Sequence, residues 1–180
     1  MERNIEYLTL LKEQFTTIGS ACGEIIKLEA AERLPKPTEH FMSDIHGEHE
    51  SFLHILRNGS GVVKSKIDQV YERTLSSDER ETLATIIYYP QEKLELIKQQ
   101  IVNIKDWYKI TLYRLIDVCR VVGSKYTRED IRKMLPENFG TIIDELLFQD
   151  SDTNPDKAGY YRQNITSIIE LDQSDAFIVE

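Results

Sequence analysis

Apolar residues recur every three or four positions through most of the chain, a spacing typical of amphipathic helices. This period runs through "NIEYLTLLKEQFTTIGSACGEIIKLEAAERL" until "LPKP", where proline ends the helix. The same spacing, with Ser76 as a cap and Pro90 in a first turn, predicts six more helices. They cover residues 62–75, 76–89, 90–122, 127–135, 137–150 and 158–173. A loop is predicted over 151–157.

One stretch breaks the helical pattern. "EHFMSD", residues 39–44, is short, lacks a helical period and runs into the turn-like "SDIHG". It is predicted to be a buried strand ending near Asp44, followed by a helix over 48–57. A lone strand needs partners for its backbone groups. Either this strand prediction is wrong or its sheet lies outside these residues. The chain ends at "AFIVE" without a stop signal, and we expect it to be a fragment.

Composition narrows the class of protein. The 180 residues are 41% hydrophobic and 29% charged, as in globular domains. The net charge of −9 and the lack of a dense basic cluster argue against nucleic acid as a partner. Two distant cysteines without a CxxC spacing make neither a disulfide framework nor a zinc knuckle. No apolar run approaches the roughly 20 residues of a membrane span, and no signal-peptide core begins the chain, so we expect a cytoplasmic protein.

Candidate chemistry is concentrated in "HFMSDIHGEHESFLHIL", residues 40–56, which holds all four histidines. Asp44 and His46 are two residues apart, and on an extended chain such side chains point the same way. Carboxylate oxygen and imidazole nitrogen together suit Mn, Fe, Zn or similar divalent ions. Gly47 allows backbone to approach closely, and the N-terminus of the following helix favours an anionic group.

The neighbouring polar residues have simpler interpretations. His49 is more often a solvated helix residue than a ligand, and His54 fits a packed or half-exposed helix position. Glu48 and Glu50 are typical acids of a helix N-terminus. Five further aspartates fall in helical contexts and are expected on solvated faces: Asp68, Asp78, Asp106, Asp117 and Asp144. Two ligands alone do not hold a catalytic metal, so half of a metal site and an ordinary turn both stay open.

At "SDIHGEHESF" the chain resembles the first motif of the calcineurin-like metallophosphoesterases, D-x-H-G at the end of the first strand. The wider text, including "YYPQEKLELIKQQ", "DWYKITLYRLIDVCR" and "GYYRQNITSIIEL", is similar to the N-terminal part of the class 3 (Firmicutes-type) fructose-1,6-bisphosphatases. The resemblance implies that Asp44 and His46 are metal ligands and that Gly47 is the motif glycine. The family's later motifs, G-D-x-x-D-R and G-N-H-E, do not occur in this sequence, so no catalytic residue is expected in this fragment.

The resemblance also implies a function. The full-length protein is expected to be a phosphoric monoester hydrolase of gluconeogenesis that converts fructose 1,6-bisphosphate to fructose 6-phosphate and phosphate. It would use two Mn²⁺ or Mg²⁺ ions, and the fragment alone would be inactive. The alternative is a non-catalytic helical protein-interaction module in which "SDIHG" is an ordinary turn.

The implied fold is mainly α, with one strand of an α/β metallophosphoesterase sheet and a helical insertion. Residues 1–60 would supply the N-terminal helix and the first strand-helix unit, 61–157 the insertion, and 158–180 a helical return toward the catalytic domain. The insertion would cover the site, bind an effector or form a subunit interface. Structural packing alone is the simpler interpretation of these helices. Between functional roles we favour an interface over direct catalysis, which would allow a homo-oligomer.

Overall fold

The computed structural model describes residues 2–37, 39–148 and 157–180, and every regular element in these ranges is helical. The helices are α1 (Glu2–Gln14), α2 (Ile18–Ala31), α3 (His49–Asn58), α4 (Val62–Tyr71), α5 (Ser77–Tyr88), α6 (Pro90–Gln100), α7 (Ile104–Gly123), α8 (Arg128–Met134), α9 (Gly140–Leu147), α10 (Ala158–Glu170) and α11 (Ser174–Val179). A 3₁₀ turn, Gly59–Gly61, joins α3 to α4. The end of the helix predicted over 137–150 and most of the loop predicted over 151–157 lie outside the described residues.

The predicted strand is wrong, although the mainly α prediction is correct. Residues 39–45 have no regular structure, and no residue in the described ranges forms a β-ladder. A strand exists only when a neighbouring strand pairs with its backbone, and none of these residues supplies one. The stretch is also exposed rather than buried: Phe41 keeps 90% of its accessible surface and Ile45 keeps 45%.

The chain divides into two units, the first comprising residues 1–37 and 125–127. The helix predicted over 4–34 is two helices, because Thr17 and Ser20 form a capping box that starts α2. Along 4–37 no side chain is fully buried. Large apolar residues stay open to solvent on both helices, among them Leu10 at 64% and Ile18 at 84%. Two short helices thus expose most of their apolar surface.

The second unit, residues 38–124 and 128–180, holds the core. Its axis is α7, a helix of 20 residues that contributes to two apolar clusters. One cluster joins α4, α5 and α7 and comprises Ile67, Leu83, Ala84 and Val118. The other joins α7, α9, α10 and α11 and comprises Leu112, Ile116, Leu146, Tyr161, Ile165, Ile168 and Phe177. The two clusters bury apolar side chains of the helical body, by which we mean α4–α11, whereas the stretch before α3 is exposed.

Helix boundaries in the second unit follow local capping chemistry. Ser76 and Glu79 form a capping box at the start of α5, and Pro90 begins α6, as the sequence predicts. The long helix predicted over 90–122 is instead α6 and α7, since Ile101 is extended and Asn103 accepts a hydrogen bond from the backbone N–H of Asp106. None of the helices in the described ranges is both long and apolar enough to cross a lipid bilayer.

Candidate functional site

The D-x-H-G motif forms a tight turn immediately before α3. Asp44, His46 and Gly47 all have positive φ, at 59°, 53° and 73°. The turn is closed by two backbone bonds, from Glu48 N–H to the Ile45 carbonyl at 3.0 Å and from His49 N–H to the Gly47 carbonyl at 2.9 Å. Non-glycine residues rarely adopt this left-handed region, and such residues tend to cluster at functional sites. The backbone therefore marks the turn as a candidate site.

The turn brings the two predicted ligands together. His46 Nε2 lies 2.9 Å from Asp44 Oδ2, and the side chains keep 73% and 77% of their accessible surface respectively. Their approach results from left-handed backbone at both residues, not from the extended strand that the sequence predicts. A carboxylate and an imidazole thus converge at an open surface, where solvent or another group can reach both.

In this structure the two side chains are in direct contact, which is an ion pair when His46 is protonated. Their donor types, carboxylate oxygen and imidazole nitrogen, also suit a divalent cation. Two ligands about 2.1 Å from one ion and at right angles to each other lie about 3.0 Å apart, close to the observed separation of the oxygen and nitrogen atoms. Catalytic metal sites usually have three or more protein ligands and an open position. Among the described residues, no group of three or more histidine, cysteine, aspartate or glutamate side chains is arranged to hold a metal. Asp44 and His46 fit part of a ligand set, and their role as ligands stays a prediction.

Gly47 is needed in this turn for its conformation rather than for space. Its φ of 73° lies in the left-handed region, and a Cβ placed there would have no neighbour within 4 Å. Glycine enters this region without the steric cost that other residues incur. The close approach of a ligand to Gly47 stays a prediction, with open space at the residue to accommodate it.

The polar residues around the motif follow their simpler interpretations. Glu48 occupies the N-cap position of α3 without a side-chain cap bond, and Glu50 lies in the first turn. Both are therefore helix N-terminal acids, as predicted. His49, the first residue of α3, is exposed, and so is His40. The structure does not bring these two histidines into a ligand cluster with Asp44 and His46.

His54 has a partner that sequence reasoning missed. Its Nδ1 lies 2.7 Å from the hydroxyl of Tyr89, which follows α5. The two ring planes are nearly parallel, at 8°, with centroids 5.8 Å apart, and Tyr88 meets His54 edge-on at 6.1 Å. The Arg57 guanidinium lies 5.0 Å from the Tyr89 ring centroid. This cluster joins the helix after the motif to the helical body.

Of the aspartates predicted on solvated faces, Asp78 and Asp106 are exposed as predicted, whereas Asp68 and Asp117 are half-buried and link helices. Asp68 accepts a hydrogen bond from Arg80 at 2.6 Å, and Asp117 accepts one from Tyr71 at 2.9 Å. Burial, followed by this bond to Asp117, raises the pKa of Tyr71. These contacts give the acids structural roles within the second unit.

Asp144 departs from the prediction of a solvated face, because it is only 8% exposed. It accepts hydrogen bonds from Arg132 at 2.9 Å and from Arg128 at 3.0 Å. The Arg132 hydrogen bond, helped by Arg128, holds the pKa of the Asp144 carboxyl below its usual range against the opposing effect of burial. Spacing could not reveal this network, since its members lie on α8 and α9.

The chain matches the family model described as Firmicute fructose-1,6-bisphosphatase over residues 6–180. It is 54% identical over 178 residues to fructose-1,6-bisphosphatase class 3 of Clostridium novyi, covering 99% of this chain and 27% of that protein. A similarly named protein of Clostridium beijerinckii is 53% identical over 176 residues, covering 98% of this chain and 27% of the relative.

The motif turn and the helices that follow it therefore define a segment of a known family: the chain belongs to the Firmicute fructose-1,6-bisphosphatases. It spans about a quarter of the length of the curated relatives it matches. No solved structure matches the chain.

Proposed function

We propose that this chain is the segment of a sugar-bisphosphate phosphatase that carries the first pair of metal ligands. The reaction is hydrolysis of fructose 1,6-bisphosphate to fructose 6-phosphate and phosphate, a step of gluconeogenesis. The observation that supports it is the family match over residues 6–180, within which Asp44 and His46 converge at 2.9 Å. The names of the Clostridium relatives supply the substrate.

The chemistry proposed for this segment is ligand donation. Asp44 would contribute a carboxylate oxygen and His46 an imidazole nitrogen to an Mn²⁺ or Mg²⁺ ion, in a site that holds two ions in the longer protein. Paired divalent ions about 3.5–4 Å apart neutralise phosphoryl charge and activate a water molecule for in-line attack. Gly47 leaves open space beside the pair, and the N-terminus of α3 directs its partial positive charge toward an anionic group there.

The division of labour along the chain is part of the proposal. Residues 1–60 belong to the catalytic domain, 61–157 form a helical insertion and 158–180 return toward that domain. The exposed Phe41, Leu10 and Ile18 support this, since apolar side chains at 64–90% exposure are suited to packing against further catalytic-domain residues. The insertion, with its own core, is proposed to mediate homo-oligomer formation. A cytoplasmic location is proposed because the substrate is a metabolite.

The test compares two polypeptides. A full-length polypeptide containing these residues should release phosphate from fructose 1,6-bisphosphate when Mn²⁺ is present and lose activity after chelation. Residues 1–180 alone should show no metal-dependent release, because two candidate ligands fall short of a catalytic set. Turnover by residues 1–180 alone would refute the proposed incomplete site. Inactivity of both polypeptides on sugar bisphosphates would favour the helical interaction module.

A further inference from the structure

We propose that Tyr89 is a positioning residue for the Asp44–His46 pair: through His54 it fixes α3, and with α3 the motif turn, on the helical body. The catalytic meaning of this role rests on the function proposed above. Tyr89 touches neither predicted ligand, and the comparisons assign it no role. The inference rests on the contacts that hold α3, on the fixed placement of Tyr89, and on the packing of the turn against α3.

Apolar packing anchors α3 only weakly. This helix of 10 residues has no fully buried side chain. Phe52 and Leu53 are half-buried, whereas Ile55 and Leu56 keep 38% and 52% of their surface. Apolar burial scales with the area removed from water, so it holds this helix less firmly than it holds α7. Specific polar and aromatic contacts therefore carry more weight for the position of α3.

The backbone of Tyr89 is held in place by hydrogen bonds. It lies between α5 and α6, where Pro90 disfavours helical backbone at the preceding residue. The φ of Tyr89 is −140° and its ψ is 65°, outside the helical region. Its N–H is bonded to the Thr85 carbonyl at 2.9 Å, and its own carbonyl accepts from Lys93 N–H at 3.0 Å. The ring that contacts His54 thus projects from backbone that is hydrogen-bonded to both α5 and α6.

The turn that carries the ligand pair packs directly against α3. The turn continues directly into the helix through the bond from Phe52 N–H to the Glu48 carbonyl at 3.0 Å. Asp44 and Ile45 also line a groove of about 370 Å³ together with Ser51 and Phe52 of α3. A small rotation of α3 would therefore carry the turn with it. Displacements of about 1 Å at a catalytic group can change rates by about 10²-fold.

The primary test reads ring positions without requiring activity. Because the chain has only four histidines, imidazole ¹⁵N resonances can be assigned one by one in residues 1–180. Tyr89→Phe removes the hydrogen bond while keeping the ring, and Tyr89→Ala removes both. The matched control is Tyr160→Phe, at a side chain that is 51% exposed on α10. Circular dichroism checks that each variant keeps its helices.

The expected result is a graded response. Tyr89→Phe shifts the His54 Nδ1 resonance and moves the His46 ring resonances, Tyr89→Ala moves both further, and Tyr160→Phe moves neither. His54→Ala should displace the His46 resonances similarly, and combining it with Tyr89→Phe should add little. If His54 responds while His46 stays at the control value, the contact is local and the proposal is overturned. It is also overturned if His54 does not respond.

A second readout uses the full-length polypeptide. The Mn²⁺ concentration giving half-maximal phosphate release should rise about two- to tenfold in Tyr89→Phe, as expected for the loss of one hydrogen bond, and further in Tyr89→Ala, which also loses the ring. Phosphate release at saturating Mn²⁺ should change less. An unchanged Mn²⁺ requirement would contradict the positioning role. Failure of the parent to respond to Mn²⁺ or substrate would instead refute the proposed function, and the His46 resonances would still test the contact.

Discussion

Replacing Asp144 with asparagine should measurably loosen the helical body. The carboxylate is 8% exposed and receives hydrogen bonds from two guanidinium groups, with Arg132 at 2.9 Å and Arg128 at 3.0 Å. The change keeps the shape of the side chain but removes its charge and leaves one oxygen acceptor. Its amide N–H groups would then face the two cations. The fastening between α8 and α9 is therefore weakened without creating a cavity.

The magnitude follows from the number of contacts and their solvation. Hydrogen bonds to charged groups contribute about 1.5–3 kcal/mol, and solvent screening of partly exposed partners reduces such values. The arginine side chains are 47% and 56% exposed. We therefore expect Asp144→Asn to lower the free energy of unfolding by about 2 kcal/mol in total, a substantial part of the roughly 5–15 kcal/mol typical of a domain.

The contribution of Asp144 to the free energy of unfolding depends on pH. Because the folded-state pKa of Asp144 is lowered, its ionised form contributes stability above the unfolded-state pKa of about 3.9. This contribution is lost as the pH falls through the folded-state pKa. The difference in unfolding free energy between parent and Asp144→Asn should therefore be full at pH 7 and shrink in acid below about pH 4.

Urea unfolding followed by circular dichroism measures this difference at each pH. Glu137→Gln is the matched control, since it removes the same charge from an exposed position and should change stability by less than about 0.5 kcal/mol. Equal stability of Asp144→Asn and Glu137→Gln at pH 7 would refute the reasoning. So would a difference that stays constant through the acid range.

Three further changes test the core, the turn and a cap. Leu112→Ala, at a side chain with no exposed surface, should cost about 2–5 kcal/mol in urea unfolding, whereas Ile110→Ala at 51% exposure should cost less than about 1 kcal/mol. Gly47→Ala should lower the free energy of unfolding by about 1–2 kcal/mol, and with it the melting temperature, because the φ of Gly47 is positive. An unchanged melting temperature would contradict the left-handed turn. Ser76→Ala should cost about 1 kcal/mol of unfolding free energy by removing the capping box of α5.

The sequence predicts helices well where the decisive signals are local. Ser76 starts α5 and Pro90 starts α6 because capping and ring geometry act within one turn. Apolar spacing continues across the breaks before α2 and α7, so it predicts one helix at each place where the structure has two. Local signals for both breaks exist in Thr17-x-x-Ser20 and Asn103-x-x-Asp106, and capping chemistry decides those boundaries.

The strand could not be judged from residues 39–44 alone. Strand formation depends on a neighbouring strand, and the described residues do not supply one. The residue types of Asp44 and His46 predict a candidate site, but they do not indicate its left-handed backbone. The Tyr89 contact joins residues 35 positions apart, so only the packing of α3 near α5 could reveal it.

The proposed function depends most on the role of Asp44 as a metal ligand. The most direct test is phosphate release from fructose 1,6-bisphosphate with Mn²⁺, comparing the full-length polypeptide with its Asp44→Asn variant. We expect the parent to be active, and we expect Asp44→Asn to lose most of that activity while keeping its circular dichroism spectrum. Equal activity of the two would show that Asp44 is not a ligand and would contradict the assignment of the motif.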